Sequence, residues 1–415
     1  MRPQPLALSK RRLALSNERA DVSRGAGNAV AFQRLTRVES VAALARGWEA
    51  LGAMPRSSRS PRDVLERLVD AATTGRRTYV MFSGGRDSSA VLALATRLAR
   101  TRGDDDPIPV TLRHPGVPEA DETEWQEAVV GHLDLRGHRV IEVRGDQELL
   151  GASAQRAIRR RGAVWPSALQ LREVAYGDLR DGVVLTGEGG DHVLTGQRVT
   201  PLRNVLARRR VPSRQEVRTV LKAVEPGFSA RRRSGPARSP AWLRGEAARV
   251  YSSTVEELGR ERMSWASATW ESFAPRVNSV ILHNVEEGIR EYGLDPLTPF
   301  AHPEFRAALA RSGGFWGYEG RTQAFRSLFG DLLPDAILSR RTKAAFNGAR
   351  WGELEKEFAR SWAGDCFDPE WVDSEALRRE WLSDRPGPGS DYLIQLAWAA
   401  SEGIATPLAD GTTFP

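Results

Sequence analysis

Two short apolar runs, Thr78 to Phe82 and Gly182 to Thr186, each pass straight into a glycine-rich turn that carries carboxylates. The first turn reads Ser83-Gly84-Gly85-Arg86-Asp87-Ser88, and the second reads Thr186-Gly187-Glu188-Gly189-Gly190-Asp191. A buried strand that feeds a helix through glycines constrains the fold more than composition does, because such junctions belong to sheets in which strands and helices alternate. The surrounding pattern agrees. Periodicity predicts a helix over about 61–73, a helix from Ser88 to about Arg100, a strand at Ile108–Leu112, a helix at Asp121–Leu133, a strand at Arg139–Val143 and a helix near 167–178. The expected fold class is therefore α/β, with a parallel, doubly wound sheet. Ligands bind beyond the carboxyl ends of such strands, which is where both glycine turns lie. Beyond about residue 200 strand signals disappear, and amphipathic segments at 246–262, 275–292, 303–312 and 373–382 predict a helical C-terminal part. Three portions are expected: a basic, partly flexible extension over 1–60 whose helix-like part is Val38–Leu51, an α/β domain over 61–200, and a mainly helical portion over 201–415 that completes it.

Composition excludes several classes. No stretch approaches the roughly 18 uncharged apolar residues of a membrane span. The start, Met1 to Ala20, lacks an apolar signal core, so a cytoplasmic location is expected. A single cysteine, Cys366, rules out an internal disulfide framework or a multi-cysteine metal site and leaves metal chemistry to oxygen ligands. It is expected to pack as a small apolar residue. Tryptophans such as Trp362, Trp371 and Trp381 are expected to pack in a core. The 60 Lys and Arg exceed the 53 Asp and Glu, and the excess gathers in 198–244, with Arg208–Arg210 and Arg231–Arg233. Its aromatics, Phe228 and Trp242, are not interleaved with these arginine clusters, so it reads as a solvated basic face rather than a nucleic-acid surface.

The first turn suits pyrophosphate. Gly84 and Gly85 permit a tight turn and close approach of the backbone, while the Ser83 and Ser88 hydroxyls and the free amides at the helix start can donate to phosphate oxygens. Asp87 makes sense there if a magnesium ion stands between carboxylate and phosphate, and Asp191 can share that ion. A GxxxxGK[ST] run is absent, which disfavours cleavage at the terminal phosphate. A Ser-Gly-Gly turn before a helix also occurs as ordinary loop structure, and Glu188 has the alternative role of capping the following helix.

Together the two turns resemble the synthetase domain of the asparagine synthetase family, whose members pair an SGGxDS loop with a GEGxDE loop about one hundred residues apart. That family includes beta-lactam synthetases and lasso-peptide macrocyclases. The resemblance continues in Leu332-Leu333-Pro334 and in Arg341-Thr342-Lys343-Ala344-Ala345-Phe346, and covers about residues 60–400. It implies an ATP-pyrophosphatase (PP-loop) fold, similar to the adenine nucleotide alpha hydrolases, and an ATP- and magnesium-dependent ligase that forms an amide through an acyl-adenylate. By resemblance, Ser83, Gly84, Gly85, Asp87 and Ser88 bind the pyrophosphate part of ATP, Thr186 and Gly187 lie against the nucleotide, and Asp87 and Asp191 hold magnesium. Glu188 would orient the amine or take its proton. Lys343 would stabilise charge as pyrophosphate leaves.

The sequence departs from the family pattern in two of its motifs. His192 stands where GEGxDE ends in Glu, and in Asp295-Pro296-Leu297-Thr298-Pro299-Phe300-Ala301-His302 the acid, arginine and final aspartate of ExRxPFLD are changed. These changes put aspartate in doubt as the substrate and leave ATP activation intact. His192 reads as a packing or hydrogen-bonding residue rather than a metal ligand. About 60 residues precede the synthetase region, and no cysteine lies at the start, so no glutaminase domain is expected. The attacking nitrogen is then free ammonia, ammonia from a separate partner, or an amine on an amino-acid or precursor-peptide substrate, as in macrocycle or lactam formation. Two other readings stand beside this one: an ATP-pyrophosphatase that modifies tRNA through the basic stretch, and a degenerate synthetase domain serving as a scaffold.

Overall fold

A computed structural model describes residues 30–56, 58–143, 148–208, 211–225, 237–260, 262–342, 344 and 350–414. At its centre, strands β1 (Thr78–Met81), β2 (Ile108–Arg113), β3 (Arg139–Glu142), β4 (Val183–Leu185) and β5 (Asp295–Leu297) form one sheet in the order β3-β2-β1-β4-β5. Every pairing is parallel. Parallel strands need both faces covered, and the covering helices supply a core in which Val80, Leu92, Val110 and Leu185 are fully buried. The expected α/β class with a helical C-terminal part is the observed one. Among the described residues, no helix is long and apolar enough to cross a membrane.

Local chemistry sets the ends of these elements. Ser60 caps the helix Pro61–Thr73, accepting from the Asp63 amide while the Asp63 carboxylate accepts from the Ser60 amide, with Pro61 in the first turn. The helix Arg86–Arg102 starts directly from the first glycine turn and stops at Gly103, whose φ of 77° is left-handed. β1 and β4 are neighbours, with Val80 beside Leu185, so both turns emerge side by side at the carboxyl edge.

The structure differs from expectation in three places. β5 adds a strand well beyond residue 200, pairing Val184 with Pro296. With three residues, one a proline that cannot donate to a ladder, it gives no period to read and survives only at the sheet edge. The helix expected near 167–178 is broken into a 3₁₀ turn, Ser167–Leu171, and a short helix, Glu173–Tyr176. The helix-like Val38–Leu51 contracts to Arg37–Ala42, closed by Ala43 at φ 50°. This N-terminal part is firmly held from residue 31 onward. The Ala31 and Gln33 amides donate to Glu287 and Asn284 at 3.0 and 2.8 Å, and Leu35 and Val41 are buried in a second core with Trp362, Trp381 and Trp398. Trp362 and Trp381 pack at 4.7 Å, as expected of core tryptophans. Cys366 lies against the same core, where burial pushes its thiol up to about 12 and keeps it protonated.

Candidate active site

The Ser83–Ser88 turn closes on itself. The Ser83 amide donates to Ser88 Oγ at 3.2 Å, Ser88 Oγ donates to the Gly85 carbonyl at 3.1 Å, and the Gly85 amide donates to Ser83 Oγ at 3.3 Å. Gly84, at φ 82°, presses against Gln126, leaving little room for a side chain. Ser88 is buried within this closure, while Ser83 stays exposed.

The Thr186–Asp191 turn fits against the first. A Cβ at Gly187 would lie 2.7 Å from the Ser88 amide, and one at Gly190 would lie 1.9 Å from Asp87 Oδ1. Glycine at both positions lets the turns interlock and brings Asp87 and Asp191 together. Arg321 bridges them, with one guanidinium nitrogen 2.8 Å from Asp191 and in contact with Asp87, while another donates to the Gly190 carbonyl at 3.2 Å. Burial, reinforced by repulsion from Asp191 and opposed by Arg321, raises the Asp87 carboxyl to about 6. Its Oδ1 is buried without a hydrogen-bond partner.

That orphaned oxygen beside a second carboxylate fits a hard cation. Among the described residues, no group of three or more His, Cys, Asp or Glu side chains could cage a metal. The fit is therefore to an ion such as magnesium, which takes one or two carboxylates and completes its shell with phosphate oxygens and water.

Both turns face one cavity of about 470 Å³. Ser83, Gly85, Asp87, Ser88, Thr186, Gly187, Glu188 and Asp191 line it, so the structure brings together most of the residues singled out from sequence. Gly84 lies just behind, buried, and Thr186 is buried with its hydroxyl 3.3 Å from Thr298. Glu188 is half-exposed, 3.5 Å from Arg172. Lys343 lies outside the described residues, but its neighbours Thr342 and Ala344 line the cavity.

A buried ion pair sets the approach of that last segment. Arg340 pairs through both guanidinium arms with Glu122, donates to the Gly84 carbonyl at 3.0 Å and to Thr342 Oγ1 at 2.9 Å, and lies over Trp125. Arg86 donates to Thr322 and the Leu338 carbonyl at 3.2 and 3.3 Å. Elsewhere in the cavity, burial and repulsion from Arg172 hold Arg350 below its usual range, and burial with the Arg350 charge pushes the His114 imidazole below its own. Sequence reading missed Arg321, Arg340, Glu122 and Arg172. None belongs to a motif read there as site chemistry, and Arg321 lies 131 positions from Gly190.

The departures have structural roles. The His192 ring meets Phe273 edge-on at 5.3 Å, in keeping with a packing residue. His302 caps the helix Pro303–Gly313, its Nδ1 accepting from the Glu304 amide at 3.3 Å, and burial favours the neutral ring that this acceptance needs. Asp295 begins β5 at the amino edge of the sheet, away from the turns, and pairs with Arg76. In the basic stretch, Arg208 pairs with Glu216 at 2.7 Å and Arg198 donates to the Ala223 and Glu225 carbonyls; Arg209, Arg210 and Arg231–Arg233 lie outside the described residues.

The asparagine synthase family model matches residues 61–398. The sequence matches no curated protein.

Proposed function

This chain belongs to the asparagine synthase family, ATP-dependent ligases that form amides with ATP and magnesium, and from that premise we propose that it activates a carboxylic acid as an acyl-adenylate and transfers the acyl group to nitrogen. The observation that carries the reading is the interlock at Gly187 and Gly190, which sets Asp87 and Asp191 side by side in the cavity that Glu188 also lines.

In this reading a carboxylate oxygen attacks the α-phosphorus of ATP, and the bond to the β-phosphate oxygen breaks with its electron pair leaving on pyrophosphate. Ser83 and the amides of Gly84 and Gly85 hold the phosphates, and Thr186 and Gly187 flank the nucleotide. Asp87 and Asp191 would hold magnesium, which supplies charge neutralisation for the departing pyrophosphate. The nitrogen then attacks the acyl carbon, Glu188 accepts its proton, and AMP leaves with the electrons of the acyl C–O bond. Lys343 would stabilise the developing oxyanion. The nitrogen comes from ammonia, a partner that supplies it, or an amine on the acid itself, as in a macrocycle or lactam. The setting proposed is the cytoplasm.

Pyrophosphate exchange into ATP, assayed with magnesium and a panel of amino acids and peptides, tests the reading. One acid should support exchange, and D87A should reduce it by about 1,000-fold or more. Nucleotide binding without exchange for any acid would favour the degenerate scaffold instead.

A further inference from the structure

Arg321 stands between the two acids that would hold the metal. It belongs to the helix Arg321–Phe329, its side chain is largely enclosed, and its guanidinium lies over the Phe325 ring at 5.2 Å. One nitrogen reaches both Asp87 and Asp191, and the other reaches the Gly190 carbonyl. The arginine is thus bound to both halves of the interlocked turns. A bare cation arriving at Asp87 and Asp191 meets a positive charge already paired with both carboxylates. Its entry must break two charge-assisted contacts and leave an enclosed guanidinium without a counter-ion. A nucleotide changes the balance, because its phosphates offer the guanidinium new oxygen partners with matching bidentate geometry.

Resting on the assignment of Asp87 and Asp191 as metal ligands, we propose that Arg321 is a positioning residue and counter-ion latch: it closes the carboxylate pair to free divalent cations and releases it to a cation that arrives with a polyphosphate. Metal and nucleotide then bind as one unit. The latch also keeps Asp87 and Asp191 facing one another, so the pair is set before ligand arrives. Phosphate takes the place of carboxylate on the guanidinium, and the cation takes the place of the guanidinium on the carboxylates.

Binding of Mn²⁺ as the probe, followed by the loss of its free electron-paramagnetic-resonance signal, tests this without turnover. Wild-type protein should bind Mn²⁺ alone weakly and bind it at least about 100-fold more tightly with a non-hydrolysable ATP analogue. R321M should bind Mn²⁺ alone roughly tenfold or more tightly than wild type, while its affinity for the analogue without metal falls. R321K, which keeps the charge but not the fork, should fall between, and it serves if R321M does not fold. Adding D87N to R321M should remove the gained Mn²⁺ binding. Equal Mn²⁺ affinity in wild type, R321K and R321M overturns the latch while leaving the carboxylate site standing. Gained binding that survives in the D87N/R321M double variant overturns the metal assignment itself.

Discussion

The two glycine turns reach the same cavity by opposite means. Ser83–Ser88 is shaped from within, by hydrogen bonds among Ser83, Gly85 and Ser88 at 3.1–3.3 Å. Thr186–Asp191 is shaped from outside: its internal bonds at Glu188 and Gly190 are 3.4 Å long, and Gly187, Gly189 and Gly190 take their places from Ser88, Ala301, Phe273 and Asp87. A self-closed loop withstands change nearby, whereas a loop moulded by its neighbours fails when any of them moves. Arg340 is the most enclosed of the first turn's outside attachments, beside Arg86 and Arg321, and the second turn packs at Gly189 against Phe273 and Ala301, the residue before the cap His302.

The largest effect should come from that outside attachment. R340M leaves Glu122 charged, buried and unpaired, and should destabilise the fold by about 3–5 kcal/mol in chemical denaturation. A loss below about 1 kcal/mol would mean that the first turn needs no clamp. Next, G190A should cost about 3 kcal/mol, because its Cβ must displace Asp87, while G85A, whose Cβ meets only Ser83 Oγ at 3.3 Å, should stay within about 0.5 kcal/mol. Comparable losses in thermal unfolding would erase the distinction between the turns.

Asp87 sharpens the contrast through pH. Its folded value, about 6, lies above the ordinary carboxylate value of 3.8, so its ionisation is easier in the unfolded chain. The contribution from its neutral form is complete below about pH 4 and is lost as pH rises to 6. Metal-free wild type should therefore lose up to about 3 kcal/mol relative to D87N across that window. A smaller loss, about 1 kcal/mol from removal of a helix cap, is expected of H302A, with pyrophosphate exchange affected less than by G190A.

The same contrast explains what the sequence discloses. The strand-to-glycine junctions were readable because Phe82 and Ser83, or Leu185 and Thr186, are adjacent in the chain and a turn of that kind has a local signature. Parallel α/β architecture followed from the same periodicity. β5 was not readable, since three residues around Pro296 carry no pattern and gain their pairing from β4. Arg321 and Arg340 were not readable as site residues because their partners, Asp87, Glu122 and Gly84, lie more than 200 positions away and only the folded sheet edge brings them together. The loss of the family aspartate at His302 read as a change near substrate, and in the structure the imidazole, its pKa lowered by burial, accepts from the Glu304 amide at 3.3 Å and caps the helix that follows.

The most direct test of the central claim follows oxygen. An acid that supports pyrophosphate exchange, labelled with ¹⁸O in its carboxylate, is turned over with ATP, magnesium and the amine or ammonia, and the nucleotide product is examined by mass spectrometry. Activation as an acyl-adenylate predicts one ¹⁸O atom in AMP and none in pyrophosphate. Label appearing instead in inorganic phosphate, with ADP as the nucleotide product, would contradict the account.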